Sequence, residues 1–179
     1  MSPVEFDYSP EENPEEQNQR EQSIKTRIAM GVLVRDISDD NPSDTNGYTG
    51  LEQVIMYCFE TEDYTLIQDL KEEIMDIAQD FEEEEYEEDF PQLEEEDERK
   101  ILVKIARFVL ENIITDDNRS SWSGLSGLEQ AIYYEFGPVG SIKLLEIKKK
   151  IIGMQMDLRG GSTVRNQYNP DDYVLDEII

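Results

Sequence analysis

The chain has 179 residues, of which 43 are acidic, 16 are basic and none is histidine, so its formal net charge at pH 7 is −27. This charge argues against nucleic acid as a direct ligand, because phosphates would be repelled, and it favours attraction to cationic surfaces. A single cysteine, Cys58, excludes a disulfide within the chain, and no Cys/His spacing indicates zinc.

Residues 1–22 combine Pro, Glu, Gln and Asn with few apolar side chains, a composition typical of disordered segments. We therefore predict a disordered acidic tail over these residues. The segment lacks the basic start and apolar core of a secretion signal, and no run in the chain reaches the roughly 18 apolar residues of a membrane span. We expect no membrane contact and a cytoplasmic or host-cell intracellular location.

An internal repeat organises the rest of the chain. At an offset of 77, residues 24–80 align with residues 101–157 without a gap, and 21 of the 57 pairs are identical. The strongest match pairs GYTGLEQVIMYCF with GLSGLEQAIYYEF. We interpret this as a duplicated module, with copy one at 23–80 and copy two at 99–157.

Each copy is predicted to contain three helices, because its apolar residues recur at spacings of three and four. On the first helices these residues are Ile24, Ile28, Val32 and Leu33 in copy one, and Ile101, Ile105, Phe108, Val109 and Ile113 in copy two. The second helices begin at two capping-box sequences, Thr49 to Glu52 and Ser126 to Glu129. The third helices use Ile67, Leu70, Ile74 and Ile77, or Leu144, Ile147, Ile151 and Met154. We predict an all-α fold in which the two modules pack into one pseudo-twofold helical unit.

The acidic residues are concentrated in copy one and in the segment that follows it. Residues 81–98 carry twelve acids and no base, whereas copy two is close to neutral. This segment is either a solvated linker or an extension of the third helix towards Asp89, which would present a rod of carboxylates. The predicted partner-binding face comprises Asp69, Glu72, Glu73, Asp76, Asp80, Glu82, Glu83, Glu84, Glu85, Glu87, Glu88 and Asp89.

Two aromatic residues of copy two are candidate binding hot spots. Trp122 stands where copy one has Thr45, and Tyr133 stands where it has Met56; Trp and Tyr are favoured at such positions. Trp122 could equally cap the bundle. The C-terminal tail, residues 158–179, mixes apolar and acidic side chains and either docks a partner or packs back onto the bundle.

Neither catalysis nor cofactor binding is indicated. The chain has no histidine base, no Gly-rich phosphate loop and no G-x-S-x-G elbow. The acidic turn after the first helix of copy one does not fit a calcium loop, because Gly47 as the sixth position would place Pro42 first. We predict a non-enzymatic protein without a metal site.

These features favour an acidic inhibitor that occupies the basic site of a nucleic-acid-binding protein. Such a DNA mimic would act in anti-restriction, anti-defence or nuclease immunity, in a viral or phage context. The alternative is an acidic helical adaptor or chaperone, such as a viral polymerase or nucleoprotein cofactor. A homodimer formed through the neutral surface of copy two is compatible with both hypotheses.

Overall fold

The computed structural model describes residues 13–81 and 93–160. Within these ranges the protein is all-α, with six helices and no strand, as the sequence predicts. The helices are α1 (Pro14–Leu33), α2 (Gly50–Phe59), α3 (Tyr64–Asp80), α4 (Glu95–Leu110), α5 (Gly127–Phe136) and α6 (Ser141–Gly160). No helix in the described part of the chain is both long enough and apolar enough to cross a membrane.

Helix α1 begins earlier than the predicted boundary after residue 22. The Asn13 side chain accepts a hydrogen bond from Glu16 N at 2.8 Å, and Pro14 occupies the first helical position. Both features favour a helix start, as do the acidic Glu15 and Glu16 in the first turn. Residues 14–22 are therefore helical, whereas the first twelve residues lie outside the described part.

The first helices of the two halves end in the same way. Arg35 and Asn112 adopt left-handed backbone conformations with φ of 71° and 64°. The N–H groups that follow turn back: Asp36 N donates to Gly31 O at 2.8 Å, and Ile113 N donates to Phe108 O at 3.0 Å. The prediction that Ile113 belongs to the helix is wrong, because the chain reverses one residue before it.

The second helices start at the predicted capping boxes. Thr49 and Ser126 each accept a hydrogen bond from the backbone N–H three residues later, while Glu52 and Glu129 return a bond to the cap N–H. Both predicted capping boxes are therefore confirmed. Both glutamates are buried by these helix starts.

The acidic segment between the halves is divided between helix ends and residues outside the described part. Helix α3 stops at Asp80, and Phe81 is extended, with ψ of 149°. The predicted extension of α3 therefore does not continue through Phe81. At the other end, α4 begins at Glu95, and its first turn holds four acids, which the positive end of the helix dipole favours.

The two halves share one hydrophobic core. Helix α1 packs on α3, α4 packs on α6, and α2 packs on α5 across the two halves. One cluster of buried residues contains side chains from both halves, among them Ile28, Ile55, Ile105 and Ile132. Since a module of about 57 residues buries little apolar surface alone, this shared core is what stabilises each half.

Hydrogen bonds between the halves recur at an offset of 77 residues. Gln53 Oε1 accepts from Thr115 N at 2.9 Å, and Gln130 Oε1 accepts from Ser38 N at 3.0 Å. In the loops, the Asn41 amide donates to Arg119 O at 2.8 Å, and the Asn118 amide donates to Pro42 O at 2.7 Å. Each half thus satisfies backbone groups of the other.

Candidate partner-binding surface

Helix α3 carries a coherent acidic face. At about 100° per residue, five carboxylates fall within an arc of about 100° and extend over about 16 Å of the helix axis. All five are exposed, and we call them the acidic stripe: Asp69, Glu72, Glu73, Asp76 and Asp80. They are the described members of the predicted partner-binding face, and the predicted Glu82, Glu83, Glu84, Glu85, Glu87, Glu88 and Asp89 lie outside the described residues.

The opposite face of α3 fixes the orientation of the stripe. Ile67, Leu70, Ile74 and Ala78 are buried there against the core. At the start of the helix, Asp63 accepts hydrogen bonds from Thr65 N and Leu66 N, which satisfies otherwise unpaired donors. A helix anchored along one whole face fixes the relative positions of the Cα atoms that carry the carboxylates on the other face.

One member of the stripe also contributes to packing. Lys25 of α1 forms an ion pair with Glu73, and the Lys25 side chain is largely covered whereas that of Glu73 is about half exposed. The pair joins the middle parts of two packed helices. Glu73 is therefore the member of the stripe whose substitution would disturb the fold as well as the surface charge.

The equivalent face of copy two does not carry the same charge. Positions 77 residues after the stripe hold Glu146, Lys149, Lys150, Gly153 and Asp157. Lys150 pairs with Glu98 of α4 at 3.4 Å, so the ion pair of this region has its signs reversed between the halves. The acidic face is thus specific to copy one, although both halves share the same helix arrangement.

A partly buried ion network supports each second helix. Lys71 bonds Glu52 at 2.7 Å and Asp39 at 3.3 Å, and its counterpart Lys148 bonds Glu129 at 2.8 Å and Asp116 at 3.0 Å. These carboxylates hold the third helices by charge-assisted hydrogen bonds. The acids of the network are consequently structural residues.

The pKa values of the network reflect these bonds. Burial raises the pKa of Glu129, but hydrogen bonds from Arg119, Lys148 and the backbone of Ser126 outweigh it, so the pKa lies below its ordinary value of 4.5. Burial likewise lowers the pKa of Lys148, yet bonds to Glu129 and Asp116 raise it above 10.5 overall. The pair is therefore charged across the neutral range.

The two candidate hot spots lie beside the turn that ends α1. The Trp122 side chain is 63% exposed, and the Arg35 guanidinium lies over its ring at 4.8 Å. Tyr133 is half-buried and donates from its hydroxyl to Val139 O at 3.0 Å. Burial raises the pKa of Tyr133, and the negative charge of nearby Asp36 adds to this effect. Trp122 thus offers a contact surface, whereas the Tyr133 hydroxyl already has a partner.

Two further surface features of copy two were missed by the sequence analysis. Helix α4 carries a cationic face with Arg99, Lys100 and Arg107 exposed beside Val103, and these residues line a cavity of about 390 Å³. Helix α6 exposes several large apolar side chains on its outer side. The cationic face of α4 is not evident from the net charge, because acids elsewhere in copy two cancel it. The outer apolar face of α6 is not evident from the apolar spacing, because that spacing already predicts the core face of the helix.

The described residues contain no group of three or more side chains positioned to hold a metal ion. Comparisons with known proteins gave no matching family model, no matching curated protein and no matching solved structure.

Proposed function

We propose that this chain is a non-enzymatic acidic binding protein that occupies the basic site of a nucleic-acid-binding protein. The observation that carries the proposal is the acidic stripe: five exposed carboxylates on one face of α3, opposite a fully buried face. Because the helix that carries them is anchored, these carboxylates stay close together and repel one another, so a cationic surface that approaches them relieves the repulsion.

The stripe resembles a nucleic-acid backbone in its charge, not in its chemistry. It offers a negative group on nearly every helical turn, a repeat of about 5.4 Å. Proteins that bind DNA obtain most of their sequence-independent affinity from Lys and Arg residues that neutralise phosphates. The same cations can pair with fixed carboxylates, and binding of this kind is fast and weakens steeply as salt rises.

We further propose that a tandem duplication produced the scaffold and that copy one then acquired the charge. The recurrence of hydrogen bonds and capping boxes at an offset of 77 supports the duplication. The exchange of Glu72 and Glu73 for Lys149 and Lys150 at equivalent positions supports the divergence. On this view copy two serves mainly as the packing partner that keeps copy one folded.

Elution from immobilised DNA tests the proposal directly. An extract of the source cells is bound to a duplex DNA resin at moderate salt, and the full-length protein is then applied as eluent. Proteins released by it are identified, and their competition with DNA is measured over a salt series. We expect a defined set of basic proteins to be released, with an affinity for this chain that falls as salt rises.

A matched pair of triple variants provides the control. Both raise the net charge by three, one within the stripe and one on other exposed acids. The stripe variant is Asp69→Asn, Glu72→Gln and Asp76→Asn, and the control is Glu62→Gln, Glu111→Gln and Glu146→Gln. Only the stripe variant should lose elution. If the two variants elute the bound proteins equally well, elution does not depend on the position of the stripe within the chain's overall charge.

One observation favours a second candidate, an acidic helical adaptor. Helix α3 ends before the predicted rod of carboxylates reaches Glu82, because Phe81 is extended. Among the described residues, the acidic array of α3 therefore consists of the five residues of the stripe. Amide hydrogen exchange discriminates between the candidates: protection that continues from residue 64 to residue 89 favours the mimic, whereas rapid exchange from residue 82 onward favours the adaptor.

A further inference from the structure

Helix α6 has apolar residues on two opposite faces. One face packs into the core through the buried Ile147 and Ile151. On the other face, Ile142, Leu145 and Met156 are 77%, 53% and 42% exposed. A helix that is apolar on both sides is normally covered on both sides.

The outer residues of α6 follow a heptad spacing. Four apolar side chains and one lysine occur at steps of three, four, three and four residues, within an arc of about 80°. We call this set the α6 seam: Ile142, Leu145, Lys149, Ile152 and Met156. The spacing places them at alternating a and d positions, which is the pattern that packs against another helix and does not fit an extended peptide.

The same positions in copy one are mostly polar. They hold Thr65, Gln68, Glu72, Met75 and Gln79. The seam is therefore a property of copy two, in the same way that the acidic stripe is a property of copy one. This difference indicates that the outer face of α6 has a separate role, because the fold of the module does not require apolar side chains there.

We propose that the α6 seam is the contact surface of a homodimer, in which α6 of one copy packs against α6 of a second copy of the chain. The seam needs a helix as its partner, and α6 itself is a helix with the complementary pattern. Charge is compatible with this surface: copy two carries nine bases and seven acids, a net charge of +2, so two molecules repel one another less through it than through the acidic remainder of a chain of −27.

The position of Lys149 indicates the relative direction of the two helices. A parallel pair would set the two Lys149 side chains against each other at one level. An antiparallel pair in which a positions face d positions places each Lys149 beside Leu145 or Ile152 of the second copy. We therefore expect an antiparallel arrangement. A single polar a position limits stability and fixes register, and a seam of about 21 Å predicts a weak dimer. The proposal is independent of the proposed function.

Sedimentation equilibrium of the full chain tests the proposal. Measurements run from about 1 μM to about 1 mM, at an ionic strength that shortens the Debye length to about 8 Å. We expect a concentration-dependent monomer–dimer equilibrium. Leu145→Glu should raise the dissociation constant at least tenfold, and Lys149→Ile should lower it at least tenfold because it removes the polar a position. Leu66→Glu on α3 introduces the same charge at an exposed leucine of copy one and should have no effect.

Each other outcome overturns the proposal. A chain that stays monomeric throughout shows that the seam does not mediate self-association. Equal effects of Leu145→Glu and Leu66→Glu show general charge repulsion, and a silent Lys149→Ile shows that the seam is not at the interface. The double variant Leu175→Glu and Ile178→Glu tests whether the C-terminal segment of the same chain covers the seam. If this variant dimerises and the wild type does not, the C-terminal segment occupies the seam in the wild type. Lys149→Ile remains informative even where Leu145→Glu unfolds the protein.

Discussion

The carboxamide of Gln130 fills the space that a side chain at Gly50 would need. A Cβ atom at position 50 would lie 2.0 Å from Gln130 Oε1, and by the same geometry a Cβ at Gly127 would lie 2.0 Å from Gln53 Oε1. The glycines at the start of α2 and α5 thus allow each half to insert a glutamine into the other. These two contacts fix the distance between the halves.

The first prediction concerns these glycines. Gly127→Ala should lower the free energy of unfolding by about 2–3 kcal/mol, because the displaced Gln53 gives up buried hydrogen bonds and the packed interface must shift. Gly140→Ala is the control, since a Cβ there meets nothing within 4 Å. Chemical denaturation measures both variants. A Gly127→Ala protein as stable as the control would show that the halves can separate slightly without cost.

The second prediction concerns the glutamines. Gln130→Leu keeps the side-chain volume but removes the acceptor of the buried Ser38 N–H. A buried donor without an acceptor costs about 1–3 kcal/mol, and we expect that loss in the free energy of unfolding. Gln79→Leu on the exposed side of α3 should cost almost nothing. The prediction would be contradicted if Gln130→Leu only made the Ser38 amide hydrogen exchange faster and left the free energy of unfolding unchanged.

The capping boxes show what local sequence determines. Thr49 and Glu52 identify the start of α2 because both hydrogen bonds close within four residues. The cross-contacts of Gln53 and Gln130 could not be predicted in this way, since their partners lie 62 and 92 residues away. A repeat predicts that two modules exist, but not which side chains join them.

The helix ends were harder to predict for a different reason. Arg35 and Glu60 adopt left-handed conformations that glycine and asparagine adopt more readily, so no residue type marked those positions. The stop of α3 at Asp80 is also unmarked in the sequence, because the apolar spacing continues to Phe81. The acidic stripe itself was predictable, since Asp69, Glu72 and Asp76 follow helical spacing.

The third prediction is a pH dependence. The pKa of Glu129 is lowered in the folded state, so its contribution to stability is present above the ordinary value of 4.5 and is lost as pH falls through the lower folded value. Glu129→Gln should reduce the free energy of unfolding by about 1–3 kcal/mol at pH 7. The difference from wild type should shrink as pH drops below about 4.5. Urea titrations between pH 7 and pH 3 measure it.

Glu62→Gln provides the control for this series, because Glu62 is exposed and lies outside the ion network. The lysine of the network gives the opposite sign at alkaline pH. Since the pKa of Lys148 is raised above 10.5, its contribution is complete below that value and disappears as pH rises through the folded pKa. A constant gap between wild type and Glu129→Gln over the acidic series would exclude the ion network as its source.

The fourth prediction separates recognition from packing at Trp122. Trp122→Thr installs the residue that copy one has at this position. The ring is mostly exposed and its described ring contact is with Arg35, so we expect the free energy of unfolding to change by less than about 1 kcal/mol.

Loss of a binding hot spot would reduce the free energy of binding by at least about 2 kcal/mol, which weakens the affinity for any protein released from the DNA resin roughly 30-fold. Calorimetric titration against that protein measures the change in affinity. Tyr64→Thr, at another exposed aromatic residue, is the control. A variant that unfolds easily but binds normally would make Trp122 a structural cap, and binding would then depend on the acidic stripe without an aromatic anchor.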